Sequence, residues 1–252
     1  VRPLVEALPI GADSVMGRVA RTRQTALISD LREPPWANIY YPLDSELEMR
    51  SELAVPLINA SGRLEGVLNL ESPEVAAFGE EDSHLLQGFA TQAVTAIQET
   101  RLLDALQEVA MWLLSQPHQE VLDRLVELAC NLLNATASVI WILDGAELVA
   151  RAASAVHPRD DDDRVPLRHS LAGQAVLSGG AVTSQDVRAD ERFHRRELAR
   201  EQGWTRALVV PMLSADGTRS VGAFSVYSVS AEAGRFAESE WDKKVLTVLA
   251  HY

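Results

Sequence analysis

The chain has 252 residues, of which 47% are hydrophobic and 23% charged, a composition typical of a globular protein with one large domain or two of ordinary size. Its net charge of −13 argues against a nucleic-acid partner and an anionic membrane surface, because both attract clustered Lys and Arg. The single cysteine, Cys130, can form neither an intramolecular disulfide nor a thiolate metal site, and no apolar run reaches the roughly 18 residues that span a bilayer. The sequence therefore predicts a chain without a membrane span in a reducing, cytoplasmic setting.

The first clear pair of elements is a β-hairpin, RSELAVPLINASGRLEGVLNLESPE at 50–74. Residues that favour strands lie on both sides of a turn at Ser61 and Gly62, which is the pattern of two antiparallel strands. The hairpin carries no residue constellation that is typical of catalysis. We therefore predict a structural role for the hairpin itself.

A long helix follows, from about Glu80 to Leu114. At about 1.5 Å per residue it would be roughly 50 Å long, which is more than one small domain needs. The excess length predicts a parallel coiled-coil homodimer through residues 80–114. In the alternative, the first part of the helix covers one sheet and the last part covers another. The predicted seam consists of Leu86, Phe89, Ala93, Ala96, Thr100, Leu103, Leu106, Ala110 and Leu113.

The second half of the chain predicts elements in the order α, β, β, β, α, β, α, β, β, α. Two strands, SVIWILD and ELVARAA, flank a tight turn at Asp144 and Gly145. The short helix SLAGQAVLS ends at Gly179, a residue that readily adopts the left-handed conformation of a helix end. The stretch DERFHRRELAREQG predicts another helix. This order gives an α+β fold in which helices cover an antiparallel sheet.

The two halves of the chain repeat each other. SVMGRVARTRQTALISDLR at 14–32 aligns with SLAGQAVLSGGAVTSQDVR at 170–188 without a gap, and the two hairpins continue the match. A helix and two strands precede the second copy but not the first, which predicts that the first copy is incomplete and that the natural protein is longer. Four identical residues recur in the aligned segments: Ser14 and Ser170, Gly17 and Gly173, Asp30 and Asp186, and Arg32 and Arg188.

These segments resemble GAF domains, the small-molecule sensor modules of bacterial signalling proteins and of cyclic nucleotide phosphodiesterases. The resemblance is carried by GADSVMGRVARTRQTALISDL, EMRSELAVPLINASGRLEGVLNLESP and AFGEEDSHLLQGFATQAVTAIQ, and in the second copy by HSLAGQAVLSGGAVTSQDV, RALVVPM and VGAFSVYS. It implies two GAF domains, 1–98 and 115–252, joined by a signalling helix at 80–114. A complete domain would have a sheet of five or six antiparallel strands with helices behind it, of which the first copy lacks the opening helix and two strands. A front pocket would be closed by residues 30–49 in the first copy and 186–203 in the second.

The resemblance also helps to exclude ligands. Cyclic-nucleotide-binding GAF domains carry a Lys–Asp salt bridge, but Leu70 stands at the Lys position after a matching Asn69. Bilin-binding members anchor the pigment on a cysteine that DERFHRRELAREQGW lacks, and the members that reduce methionine sulfoxide use several cysteines, whereas Cys130 is alone. His194 is a candidate haem ligand, but four nearby arginines favour a solvated side chain. We therefore predict no cofactor and, for Asp160 to Asp163, a solvated turn rather than a metal site.

Aromatic residues mark the candidate ligand-binding positions. Trp36, Tyr40 and Tyr41 lie in the segment LREPPWANIYYPLDSELEMR, whose composition fits a lid over a small ligand. In the alternative they only anchor the loop. Asn69 lies on the predicted sheet floor. The corresponding residues of the second copy are Phe193, His194, Trp204 and Tyr227.

The sequence favours a regulatory segment over an enzyme. It shows no paired carboxylates, catalytic triad or metal cluster with a plausible spacing, so we predict no catalytic and no metal-ligating residue. In the sensor histidine kinases that it resembles, the helix between domains passes a shift to an output domain. We predict a small-molecule-sensing, homodimeric segment of this two-component type, with the output domain outside the present chain. The alternative hypothesis is a ligand-free scaffold that serves only dimerisation and protein interaction.

Overall fold

The computed structural model describes residues 13–42, 47–154, 163–229 and 239–251. Its internal contacts divide the chain into two compact units, Val1–Gln98 and Glu99–Tyr252. Among the described residues, the first unit has a sheet of three strands and the second a sheet of six, and the strand pairings are antiparallel. The α+β class predicted from the sequence is therefore confirmed.

The first unit is built on a sheet whose two longer strands form the hairpin predicted at 50–74. The turn places Gly62 at a φ of 84°, a left-handed conformation that a residue without a side chain adopts easily. The elements in chain order are α1 (Val15–Thr22), β1 (Ala26–Ile28), a 3-10 turn (Trp36–Asn38), β2 (Ser51–Ile58), β3 (Leu64–Ser72) and the first part of α2 (Glu80–Ser115). The sheet order is β1-β2-β3.

Alternation along β2 separates the two faces of this sheet. Leu53, Val55 and Leu57 are buried on the face that packs against α2. Residues of the other parity, Glu52 and Ala54, lie on the opposite face, which α1 and the segment 31–42 cover. We call the face under α1 the front face. The carboxyl group of Glu52, the second residue of β2, is therefore directed towards the covered front face.

The second unit has the order of elements predicted from its sequence. Its sheet order is β6-β5-β4-β9-β8-β7. The helices are α3 (His118–Leu133), α4 (Leu171–Ser178), α5 (Arg196–Glu201) and α6 (Glu240–Leu249), and the strands are β4 (Ala137–Asp144), β5 (Glu147–Ala153), β6 (Arg164–Pro166), β7 (Val182–Ser184), β8 (Trp204–Leu213) and β9 (Ser220–Val229).

One predicted helix of the second unit is much shorter than expected. The stretch DERFHRRELAREQG forms a helix only over α5, because its first part is held in turns by Asp190. The Asp190 carboxylate accepts hydrogen bonds from the backbone N–H of Arg192 at 3.0 Å and from the Ser184 hydroxyl at 2.7 Å. A side chain that binds nearby backbone in this way competes with helix formation.

Two buried layers enclose the sheet of the second unit. On the back, α3, α6 and the last part of α2 pack against residues such as Ile140 and Phe224. On the front, α4 packs against the other parity of the same strands, which includes Val139 and Tyr227. The short helix α4 ends at Gly179 in the left-handed conformation, as its sequence predicts.

Equivalent positions of the sequence repeat make equivalent hydrogen bonds. The Ser14 hydroxyl accepts from the backbone N–H of Gly17, and the Ser170 hydroxyl accepts from that of Gly173, each at 2.9 Å. Both serines therefore cap the N-terminus of the short helix that crosses the front of their own sheet.

The helix α2 buries one side and exposes another. Leu86, Ala90 and Val94 are buried in the first unit, and Leu102, Ala105 and Val109 are buried in the second. Leu86 is thus wrongly placed in the predicted seam, because it covers the first sheet. Most of the other seam residues are exposed in the single chain: Phe89, Ala96, Thr100, Leu103, Ala110 and Leu113.

Candidate functional site

The front face of the first unit carries a small cavity under α1 and the loop that follows β1. Its volume is about 20 Å³, which is room for roughly one water-sized group. We call it the carboxylate chamber. Its lining residues are Ser14, Val15, Met16, Tyr40, Tyr41, Glu52 and Glu71.

Two carboxyl groups face each other in this chamber. Glu52 on β2 is the direct antiparallel partner of Glu71 on β3, so their side chains leave the same face of the sheet at neighbouring positions. The Glu52 residue is only 1% exposed, and neither of its carboxyl oxygens has a hydrogen bond of good geometry to a described residue. The prediction from the sequence that the chain has no paired carboxylates is wrong for these two residues.

The electrostatics of the chamber favour protonated carboxyls when nothing is bound. Burial, and then the charge of Glu71, raise the pKa of Glu52 to about 8, while the nearby Asn69 side chain opposes the rise. Burial also raises the pKa of Glu71, and the neighbouring Tyr40 hydroxyl partly offsets that rise. The pKa of Tyr40 is raised as well, by burial and by the charges of both glutamates. None of the described residues that line the chamber carries a positive charge that would stabilise two carboxylates.

The structure brings most of the predicted first-unit residues to this site. Tyr40 and Tyr41 line the chamber. Asn69 lies on β3 with the front-face parity, near Glu52. Trp36 does not line the chamber but lies in the 3-10 turn, where it packs in the front core. The guanidinium carbon of Arg18 lies 4.9 Å from the centroid of the Trp36 ring. Trp36 thus anchors the loop, whereas the tyrosines face the chamber.

The second unit fills the equivalent place with aromatic rings. Ala207 and Tyr227 are direct partners across β8 and β9, at the positions that correspond to Glu52 and Glu71 in the repeat. Tyr227 stacks on Trp204 with centroids 5.2 Å apart and meets Phe193 edge to face at 5.4 Å. Burial raises the pKa of Tyr227 to about 12. The predicted residues Phe193, Trp204 and Tyr227 therefore form a packed cluster.

A cavity of about 30 Å³ remains beside this aromatic cluster. Trp141, Phe193 and Tyr227 line it, and the exposed His194 lies at its rim with Nδ1 3.3 Å from the carbonyl oxygen of Arg192. The exposure of His194 agrees with the solvated side chain predicted from its arginine neighbours. The volume is far below the roughly 300 Å³ of a small-ligand pocket.

A buried ion pair closes the front of the second unit. Asp163 has a side chain that is 1% exposed, and one of its carboxylate oxygens lies 2.6 Å from a guanidinium nitrogen of Arg195, which itself lines the cavity. The prediction of a solvated acidic turn is therefore wrong for Asp163, because its charge is neutralised inside the fold. Asp160 to Asp162 lie outside the described residues.

The described residues offer little to a metal or to a reactive thiol. In that part of the chain, no group of three or more His, Cys, Asp or Glu side chains is close enough together to hold a metal ion. Cys130 on α3 is half-buried, and burial raises its pKa. A thiol with a raised pKa is a poor nucleophile at neutral pH.

Comparison with known proteins identifies the fold. The family model of the GAF domain matches residues 2–98 and 115–252. The chain belongs to the GAF domain family. GAF domains are a regulatory and sensory family, which agrees with a small front-face site on an antiparallel sheet. No curated protein sequence matches the chain significantly.

Solved GAF structures share the fold at low sequence identity. The GAF domain of A. aeolicus nlh2 in an inactive state has a TM-score of 0.51 and 13% identity, and covers 61% of this chain and 93% of its own. The GAF domain of a phosphoenolpyruvate-protein phosphotransferase from Coxiella burnetii also has a TM-score of 0.51, with 18% identity over 60% and 89% of the two chains. These likenesses show the fold alone. Among the described helices, none combines the length and apolarity that crossing a bilayer requires.

Proposed function

We propose that this chain is a regulatory segment of a multidomain signal-transduction protein, with two GAF domains at 1–98 and 115–252 and a connecting helix at 80–114. The proposal is supported by the two ranges of the family match and by the equivalent helix caps at Ser14 and Ser170. The segment acts without catalysis of its own, in the cytoplasm, as part of a homodimer. Its state reaches an output domain elsewhere in the protein, such as a histidine kinase.

The exposed apolar side of α2 carries this proposal. Phe89 is 62% exposed and Leu103 is 60% exposed. With Ala96 and Ala110 they recur every seven residues, the spacing of a coiled-coil seam. The buried residues of α2, which pack against the two sheets, lie on another side of this helix. A second copy of the chain, packed in parallel along the seam, would remove these side chains from water.

Sensing requires that a ligand favour one of two states of the connected helices. A ligand shifts such an equilibrium only by its difference in affinity for the two states. The carboxylate chamber is the candidate ligand site because it lies directly beneath α1 and the Tyr40 loop on the front of the first unit. No cofactor is part of this proposal.

A ligand-free scaffold is the second candidate function. The observation in its favour is the second unit, where Phe193, Trp204 and Tyr227 fill the place of a ligand. Native mass spectrometry of the purified chain separates the two functions. A dimer that carries a co-purified small molecule supports the sensor, and a dimer without one supports the scaffold.

The coiled-coil proposal predicts that Leu103→Glu converts the dimer to a monomer. The substitution places a charge in the apolar seam of both copies, but it leaves the fold of a single chain intact because Leu103 is exposed there. Size-exclusion chromatography with light scattering measures the mass, and circular dichroism measures the fold.

The matched control is Thr91→Glu, which adds the same charge at an exposed position of α2 outside the seam. We expect this variant to remain dimeric. A monomeric wild-type chain, or a Leu103→Glu variant that dimerises as strongly as the wild type, would contradict the proposal.

A further inference from the structure

The front faces of the two units carry different side chains at equivalent positions of the repeat: two glutamates in the first unit, an alanine and a tyrosine in the second. Both sites are formed by directly paired residues of the two central strands, Glu52 with Glu71 and Ala207 with Tyr227. In the second unit, the tyrosine ring packs into an aromatic cluster, and an alanine stands in place of the other glutamate. In the first unit, a carboxyl group is buried beside another carboxyl and lacks a hydrogen bond of good geometry.

An unsatisfied buried carboxyl is costly, and it points to something that binds there. A buried polar group that lacks a partner costs about 1–3 kcal/mol, and more when it is charged. Both oxygens of Glu52 are in this condition among the described residues, whereas the Tyr40 hydroxyl interacts with Glu71. All three residues line one cavity of about 20 Å³. A fold under no constraint at this position would do better with the alanine that the second unit has.

We propose that the carboxylate chamber binds the protonated amine of a small molecule, held between Glu52 and Glu71 with the Tyr40 hydroxyl as a further acceptor. This inference rests on the proposed small-molecule sensing. An ammonium group has the size of a water molecule and carries three N–H donors, which matches the volume of the chamber and its three acceptor groups. The rest of the ligand extends past Tyr41, the exposed member of the lining.

Other ligand classes fit the chamber less well. A divalent cation such as Ca²⁺ takes six to eight oxygen ligands, mainly from carboxylates, carbonyls and waters, and of the side chains of that kind the described lining residues supply two carboxyls. An anion would meet two acidic groups and no basic side chain among the lining residues. A purely apolar ligand would leave Glu52 without a partner. An ammonium head group offsets the charge of one ionised glutamate and can donate N–H groups to both carboxyls, and the rings of Tyr40 and Tyr41 add attraction for a cation.

Binding of an ammonium group is coupled to the release of a proton. The titratable groups that line the chamber are Glu52, Glu71, Tyr40 and Tyr41, and the α1 residues Ser14, Val15 and Met16 carry no charge. In the empty chamber Glu52 holds its proton up to a pH of about 8. The amine itself stays protonated in this range, as a Lys side chain does. The affinity therefore rises with pH towards 8, by up to about tenfold per unit.

The experiment uses isothermal titration calorimetry of the whole chain with n-butylammonium chloride at pH 6, 7 and 8. 1-Butanol, a neutral molecule of similar shape, is the matched ligand control. The variants are Glu52→Gln and Glu71→Gln, with the exposed Glu48→Gln as the matched control. Thermal unfolding of each variant verifies that it is folded.

We expect the wild type and Glu48→Gln to bind n-butylammonium more tightly as the pH rises. Glu52→Gln and Glu71→Gln should weaken binding by about 10- to 100-fold, because each removes a charge-assisted hydrogen bond, and Glu52→Gln should also lose the pH dependence. No binding by the folded wild type, equal binding of 1-butanol, or unchanged affinity in Glu52→Gln would overturn the proposal.

The outcome is separable from that of the proposed function. If the chain dimerises through α2 and co-purifies with an anionic or neutral molecule, the sensor proposal stands and the ammonium site is refuted. If the chain is a monomer that binds n-butylammonium in a Glu52-dependent manner, the site stands and the coiled-coil relay is refuted.

Discussion

Glu52 is the residue at which strand pattern and electrostatics conflict most strongly. Its neighbours in β2, Ser51 and Leu53, are fully buried, and alternation directs its side chain to the covered front of the sheet. The sequence indicates this parity, because Ala54 two residues later is on the same face. It does not indicate that α1 and the Tyr40 loop close over the carboxyl, since that depends on packing between segments far apart in the chain.

The raised pKa of Glu52 predicts how the stability of the first unit changes with pH. The folded state keeps the Glu52 proton up to pH about 8, whereas an unfolded glutamate loses it near pH 4.3. The free energy of unfolding therefore falls as the pH rises through this window and levels off above it. Glu52→Gln should remove this fall and be more stable than the wild type by roughly 5 kcal/mol at pH 9.

The measurement is the urea dependence of hydrogen exchange at β2 amides, corrected for the effect of pH on intrinsic exchange. At pH 5 the variant and the wild type should differ little, because Glu52 is then protonated when folded. Glu48→Gln is the control, since its side chain is exposed. A constant difference between Glu52→Gln and the wild type from pH 5 to 9 would show that the carboxyl does not titrate as stated.

The aromatic candidates occupy two kinds of position in the structure. Tyr40 and Tyr41 line the chamber, but Trp36, Trp204 and Phe193 are packed into apolar clusters. In the sequence, an aromatic residue in a segment that covers the sheet looks the same whether its ring faces a ligand or the core. Only the position of the segment relative to the sheet separates the two cases.

At the scale of the element, the repeat conceals a difference between equivalent glycines. Gly66 on β3 and Gly222 on β9 occupy matching positions. A Cβ at Gly222 would lie 2.1 Å from the carbonyl oxygen of Trp141, a backbone atom that cannot move aside, whereas a Cβ at Gly66 would meet only the Leu57 side chain at 3.4 Å. The sequence has a glycine at both positions, but close approach of the backbone requires it only at Gly222.

This difference predicts unequal costs for the same substitution. Gly222→Ala should destabilise the second unit by about 1–3 kcal/mol because the strands β4 and β9 must separate locally. Gly66→Ala should be close to neutral for the first unit. Hydrogen exchange at the amides of each sheet gives the two values separately. Equal losses in the two units would contradict the steric explanation.

Helices, too, were predicted correctly where local sequence features decide them and incorrectly where distant segments do. The helix α3, first in the predicted order, and the left-handed end of α4 were predicted correctly, because both follow from local features of the sequence. The stretch before α5 was predicted as helix, but the Asp190 carboxylate holds its backbone in turns and pairs with Arg192. Such a competition depends on the position of β7, whose Ser184 also binds Asp190.

For the whole molecule, the acidic net charge opposes the association of two copies. Each chain carries a net charge of −13, and like charges repel over about 10 Å at 0.1 M salt. Because the seam of α2 is apolar, salt should screen the repulsion without weakening the contact. We expect the dissociation constant of the dimer to fall several-fold between low salt and about 0.3 M.

Sedimentation equilibrium at several salt concentrations measures this dependence. The Thr91→Glu variant, which adds a negative charge outside the seam, should show a steeper dependence than the wild type. Weaker association at high salt would mean that ion pairs, rather than the exposed leucines and Phe89, hold the copies together.

The amino-acid sequence by itself determined the α+β class, the order of the elements in the second unit, the hairpin of the first and the resemblance to GAF domains. Each follows from local periodicity, turn residues or a direct repeat. The tertiary structure alone decided which polar groups are buried together: Glu52 with Glu71, and Asp163 with Arg195. The cost of burying a charge depends on every segment that excludes water from it, and no local pattern in the sequence records that.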